Sequence, residues 1–174
     1  ALSPDQALGP FPIGSSVQVK LLHESDLVCD KNLGTFTHNT PCPPANDLCT
    51  NASTLTVNPP AQCPAQATAG RTIDAGNESA APGCNGIGAI RDVWYVFNTG
   101  YSQSPINIAI AAGSIGHYGV EIYAACGGTA ISCTPNSPAL VSAGGLSSFT
   151  DYRIRVFTNT SLGAAGTFTI CVYA

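Results

Sequence analysis

The sequence predicts an all-β chain, a β-sandwich or jelly-roll-like single domain with an N-terminal extended strand segment. Three observations predict it. Helical periodicity is almost absent, Gly and Pro punctuate the chain every few residues, and β-branched and aromatic residues fill the short runs between them.

The first element lies in "GSSVQVKLLHESDLVC", residues 14 to 29. Val17, Val19 and Leu21 alternate with Gln18, Lys20 and Leu22, which describes a strand with one apolar face. Ahead of it, Pro10 and Pro12 in "GPFPIG" forbid helix and bias the backbone to an extended form. The strands of the domain follow: "STLTV" (53–57), "DVWYVFNT" (92–99), "PINIAIAA" (105–112), "GVEIYAA" (119–125), "TAISC" (129–133), "ALVSA" (139–143), "DYRIRVFT" (151–158) and "GTFTICVYA" (166–174). This number and spacing imply a sandwich or jelly roll. Tyr152, Ile154 and Val156 share one face of their strand, and Ile106, Ile108 and Ile110 point together, so one face packs and one faces out. Residues 1–42 thus form an extension with a candidate donor strand at about 14–23, and residues 43–174 form the sandwich.

The composition excludes whole classes of partner. A formal charge of -4 with only 9% charged residues argues against nucleic acid, which needs clustered Lys and Arg to neutralise phosphates. No apolar run reaches the roughly 18 to 20 residues that span a bilayer. The chain contains no Met, so Ala1 is not an initiator and a signal peptide is expected to have been removed. Eight cysteines without C-x-x-C pairs or His at zinc-finger spacing point to disulfides and an extracellular or cell-surface location. Three N-x-[ST] sequons, at Asn51, Asn77 and Asn159, make covalent glycans an expectation, and chance occurrence is the alternative in so Ser- and Thr-rich a chain.

From "PPANDLCTNASTLTV" onward, with "RDVWYVFNT", "VEIYAACGG", "YRIRVFTNT" and "GTFTICV" in that order, the chain resembles the bacterial pre-peptidase C-terminal-like domains over about residues 43–174. The resemblance implies a non-catalytic β-sandwich of the kind that rides on larger secreted peptidases, adhesins or surface proteins. Here some 42 residues precede the domain, and an accompanying enzyme module is not expected.

Eight cysteines allow 105 connectivities. Local pairing joins Cys126 with Cys133 and Cys49 with Cys63, and Cys84 with Cys171 would close a long loop. Cys29 is then left with Cys42, fixing where the extension leaves the domain.

No catalytic or metal site is expected, and no cofactor is implied. His23, His38 and His117 are isolated, no G-x-S-x-G elbow occurs, and Asp30, Asp47 and Asp74 fall outside any D-x-[DN]-x-[DN]-G loop. The strand carboxylates Asp92, Glu121 and Asp151 are expected to cap strand ends or pair with Arg91, Arg153 and Arg155, the alternative being a glycosidase pair. Trp94 and Tyr123 are the candidate ligand aromatics, with core packing as the competing role.

The apolar strand of the extension must be covered, either in its own sandwich or in a neighbour's. Insertion in trans does not close on itself and gives a homopolymeric filament in which Ile13, Val17, Val19 and Leu21 enter the acceptor groove. The alternative is a monomeric secreted module that binds carbohydrate or protein.

Overall fold

The computed structural model describes residues 20–21, 31–32, 43–78, 82–84, 89–101 and 105–174. The chain divides into two compact units, Ala1–Cys42 and Pro43–Ala174. In the first, β1 (Lys20–Leu21) pairs antiparallel with β2 (Lys31–Asn32), placing Leu21 opposite Lys31. Ile13, Val17, Val19, Cys29 and Cys42 lie outside the described residues.

The second unit is an all-β sandwich. Its strands are β3 (Ser53–Leu55), β4 (Val57–Asn58), β5 (Thr68–Arg71), β6 (Ile90–Asn98), β7 (Ile106–Ala112), β8 (Tyr118–Tyr123), β9 (Ala130–Thr134), β10 (Leu140–Ala143), β11 (Asp151–Asn159) and β12 (Thr167–Tyr173). One sheet runs β3-β6-β11-β8-β9 and the other β10-β7-β12-β4, with β5 also on β12. Among the described residues no helix is long and apolar enough to cross a membrane.

The run 53–57 is two strands rather than one. β3 lies parallel to β6 with Leu55 opposite Phe97, and β4 lies parallel to β12 with Val57 opposite Val172. The chain therefore changes sheets at Thr56, the exposed residue between them. A strand that crosses between layers closes one edge of the sandwich, which a sheet otherwise leaves open.

Alternation fills the core as expected. Val93, Tyr95 and Phe97 of β6, Ile154 and Val156 of β11, and Val120 and Ile122 of β8 meet Ile106, Ile108 and Ile110 of β7 and Phe168, Ile170 and Val172 of β12. The outer face of the first sheet departs from the expectation of one face out. Trp94, Arg155, Phe157 and Glu121 point away from the core and are nevertheless buried, as are all the residues of β8.

A covering layer explains this burial. Asp92 and Trp94 donate their backbone N–H groups to the carbonyls of Gly76 (3.0 Å) and Asn46 (2.8 Å), so chain from both segments lies along the free edge of β6. Gly76 N–H donates in turn to Asp47 Oδ1 at 2.6 Å, joining the two segments. Disulfides Cys49–Cys126 and Cys84–Cys133 fasten the layer to the far side of the sheet, and Cys63–Cys171 ties the loop before β5 to β12. These bonds correct the local pairs Cys49–Cys63 and Cys126–Cys133 and the pair Cys84–Cys171. Proximity in sequence misleads here because each bond joins the covering layer or the edge loop to a strand distant in the chain. Disulfides of this number place the protein in an oxidising compartment, in the cell envelope or outside the cell.

Candidate functional site

Beneath the covering layer lies a buried charge cluster. Arg155 donates from Nε and Nη2 to Asp92 Oδ2 at 2.6 and 2.5 Å, from Nη1 to Glu121 Oε2 at 3.0 Å, and from Nη2 to Asn77 Oδ1 at 3.2 Å. Tyr123 Oη donates to Glu121 Oε2 (2.8 Å), and the Gly83 N–H donates to Glu121 Oε1 (2.9 Å). The guanidinium also sits 5.6 Å from the Trp94 ring centroid and 5.8 Å from that of Phe157. Gly119, opposite Phe157 in the ladder, makes room for that ring: a Cβ there would lie 2.3 Å from it.

Burial sets the titration of this cluster. Desolvation pushes the Asp92 carboxyl above its ordinary range, with Arg155 pulling the other way. Desolvation likewise raises Tyr123 to about 12, helped by its bond to Glu121. Burial opposes the Arg155 charge, but the two carboxylates outweigh it and hold the guanidinium firmly protonated. With Asp92 and Glu121 clamped on one guanidinium and closed off from solvent, this pair is not open to a substrate. The cluster fastens the covering layer to the sheet.

The other expected residues distribute as follows. Trp94 and Tyr123 are 1% and 6% exposed, their ring centroids 5.3 Å apart against the Cys49–Cys126 bond. They form a satellite core with Cys49, so neither offers a face to a ligand. Arg91 donates to the Ala75 carbonyl, while Arg153 Nε and Nη1 are buried without a hydrogen-bond partner, so of the three arginines only Arg155 pairs with the strand carboxylates among the described residues. Asp151 is exposed and accepts a hydrogen bond from Asn98 Nδ2. Of the sequons, Asn51 and Asn77 are exposed, whereas Asn159 is 1% exposed at the end of β11 and has no room for a glycan in the folded domain. His23 and His38 lie outside the described residues.

Two accessible features among the described residues were not among the residues expected from the sequence. The first is a groove of about 440 Å³ between the crossing strand and the disulfide-tied loop, lined by Thr54, Thr56, Asn58, Gln62, Gln66 and Thr68. Ile170, Cys171 and Val172 of β12 also line it. The Asn58 amide is held by the Thr56 and Val172 carbonyls at 3.0 and 3.3 Å, while no hydroxyl or amide of Thr54, Thr56, Gln62, Gln66 or Thr68 has a partner among the described residues. No charged side chain lines the groove. The second is the pair Tyr101 and Phe149, 86% and 58% exposed, with ring centroids 4.3 Å apart. The signal that would have found them is an aromatic placed outside any alternating run: "NTGY" and "SSFTD" are turn sequences, where a large apolar side chain has no core to enter.

Comparison with known proteins gives a family. A family model described as galactose binding domain-like, T9SS-associated, matches residues 45–170. The match supports the β-sandwich that the resemblance to pre-peptidase C-terminal-like domains implied, but it falls to a different family, and membership of the pre-peptidase C-terminal-like domains is not confirmed. A search of curated proteins gives no match. Among solved structures, Aeromonas hydrophila PliG, a periplasmic lysozyme inhibitor of g-type lysozyme, is similar at 12% identity and a TM-score of 0.36, over 70% of this chain and 96% of that one. The family match spans most of the chain, from before β3 into β12, and the chain belongs to the galactose binding domain-like family.

Proposed function

We propose that the domain is a non-catalytic accessory module, secreted to the cell surface or beyond, whose ligand is a neutral carbohydrate. The observation that carries this reading is the groove beside the β3–β4 crossing, whose lining is uncharged yet rich in uncommitted hydroxyl and amide groups. Such a lining matches the neutral donor and acceptor pairs of a sugar, and it lacks the cations an anionic ligand requires. The family description points to the same ligand class. The burial of Asp92 and Glu121 around Arg155 weighs against a hydrolase built on those carboxylates.

A filament joined through Ile13, Val17, Val19 and Leu21 is the competing reading, and it draws less support. Donor-strand insertion needs an acceptor whose core is open, whereas the sandwich core residues are all 6% exposed or less. Leu21 is paired within its own two-stranded ladder.

The test is a glycan-array screen of the intact protein, followed by calorimetry on wild type and on Gln62→Ala/Gln66→Ala. Binding to neutral glycans that falls at least tenfold in the variant, with unchanged melting temperature, is the expected outcome. Retention of full affinity by the variant, or no neutral glycan bound at all, refutes the groove as the site.

A further inference from the structure

We infer that Tyr101 and Phe149 form a second sugar contact, a platform separate from the groove. Its rings stand edge to face at 78°, so that one ring offers its face to a pyranose and the other flanks it. The inference extends the carbohydrate reading and rests on it for the ligand class alone.

The two rings stand on a rigid base. Thr99 N–H donates to the Thr150 carbonyl at 3.1 Å, Thr150 N–H donates to Thr99 Oγ1 at 3.0 Å, and Phe149 N–H donates to the Gly100 carbonyl at 2.8 Å. Thr99 Oγ1 donates to the Ser147 carbonyl (2.7 Å), and the Ser147 N–H donates to Tyr152 Oη (2.9 Å). The turn after β6 and the turn before β11 are thereby zipped together directly above the strands they join. Gly100 has φ +57, and among the described residues no atom beyond its chain neighbours lies within 4 Å of where a Cβ would stand. Phe149 has φ 53, a left-handed conformation that bulky aromatics rarely adopt.

This arrangement presents apolar surface to water at a position where neither ring contributes to the core. Exposed aromatic area of this kind, on strained and immobilised backbone, is what a binding surface requires: the contact is prepaid and little entropy is lost on docking. The dimensions select the ligand. Two aromatic side chains bury at most about 150–250 Å² each, whereas a stable protein interface takes about 800 Å² from each partner. One pyranose ring fits the smaller figure. The polar rim suits it too. Asp151, two residues after Phe149 and exposed, accepts from Asn98 Nδ2 through Oδ1 at 2.7 Å, and Asn98 Oδ1 accepts from Gly100 N–H at 2.9 Å, which leaves the second Asp151 oxygen as an acceptor for a sugar hydroxyl. The groove and the platform lie toward the same end of the sandwich, since Leu55 pairs with Phe97 and the chain runs from there into Tyr101.

The test uses the full chain, labelled with 15N, titrated with the methyl glycosides of galactose, glucose, mannose and N-acetylglucosamine and with their β-linked oligomers. Amide shifts at Gly100, Tyr101, Phe149 and Thr150 that saturate with sugar, and that vanish in Tyr101→Ala/Phe149→Ala while the groove amides from Thr54 to Thr68 still respond, are the expected result. A tenfold or greater loss of affinity for the oligomers accompanies it. Shifts confined to the groove overturn the platform and leave the proposed function standing. Shifts confined to the platform sustain it and remove the groove. No shift with any of these sugars removes both. Because the two rings are exposed, the double variant is expected to fold, and Tyr101→Phe, which keeps the stacking face, is expected to keep at least half the affinity; loss in that conservative variant would assign the effect to the hydroxyl instead.

Discussion

Replacing Arg155 with Met tests whether the buried cluster holds the covering layer down. The substitution keeps a side chain of similar length and removes, among the described residues, the hydrogen bonds to Asp92, Glu121 and Asn77. Two carboxylates are then buried without a counter-ion, and breaking such a pair costs about 3–5 kcal/mol. For a denaturant slope of about 2 kcal/mol/M, a loss of 4 kcal/mol moves the urea midpoint by about 2 M. The pH dependence gives the sign. The Asp92 carboxyl is already raised in the folded protein, so its contribution to stability is present below its unfolded value near 3.8 and is lost as pH rises through its folded value. Removing Arg155 takes away the influence that lowers it, so the folded value climbs further. The deficit of the variant is therefore full at neutral pH and shrinks as the pH falls toward 4. Urea unfolding at pH 7 and pH 4 measures both. A variant as stable as wild type at pH 7, or one whose deficit grows in acid, refutes the reasoning. The triple replacement Arg155→Met/Asp92→Leu/Glu121→Met removes every charge together and is expected to recover most of the loss.

Two further outcomes follow from the packing. Peptide mapping of the unreduced protein is expected to yield Cys49–Cys126, Cys63–Cys171 and Cys84–Cys133. Removing Cys63–Cys171, with a sequence separation of 108, is expected to cost about 4.8 kcal/mol against about 4.1 for the separation of 49 at Cys84–Cys133, read as a difference in urea midpoints. Gly119→Val drives a side chain into the Phe157 ring, and the ring must leave its place over Arg155. The expected destabilisation is about 1–3 kcal/mol by thermal or urea unfolding, and a neutral result would mean that the ring relocates freely.

How far the sequence discloses this molecule depends on the range of the interaction. β6, β11 and β12 alternate over seven to nine residues, and that period alone orients Ile154, Val156 and Ile170 toward the core. β4 and β5 are two and four residues long and carry no period, so the sheet change at Thr56 was hidden inside what reads as one strand. The covering layer was illegible for a different reason. Period two distinguishes the two faces of a strand but does not say whether a second layer buries the outer one. Thus Trp94 and Tyr123, which stand on the outer face of the sheet, are core residues. They pack with Cys49 and Ala52, which lie far from both in sequence and outside the strands of the sheet. Disulfide connectivity shares this character: each bond closes 49 residues or more, and no local rule selects among distant partners.

The distribution of charge links the architecture to the proposed activity. The chain has 16 charged side chains in all, from six Lys and Arg and ten Asp and Glu, and three of them, Arg155, Asp92 and Glu121, lie inside the fold as one cluster. A surface so sparsely charged generates little long-range field, so encounter is not steered and recognition relies on contacts made at touching distance. The features that remain accessible suit that regime. A groove of hydroxyls and amides offers short, directional bonds to a neutral ligand, and a pair of exposed rings on a hydrogen-bonded base offers area without a conformational penalty. The buried ion cluster and the disulfides serve the same end from within, since a sugar contributes few kcal/mol per ring and cannot also order a loose loop on arrival. Rigidity placed in the covering layer and in the zipped turns leaves the whole of that small interaction energy for binding.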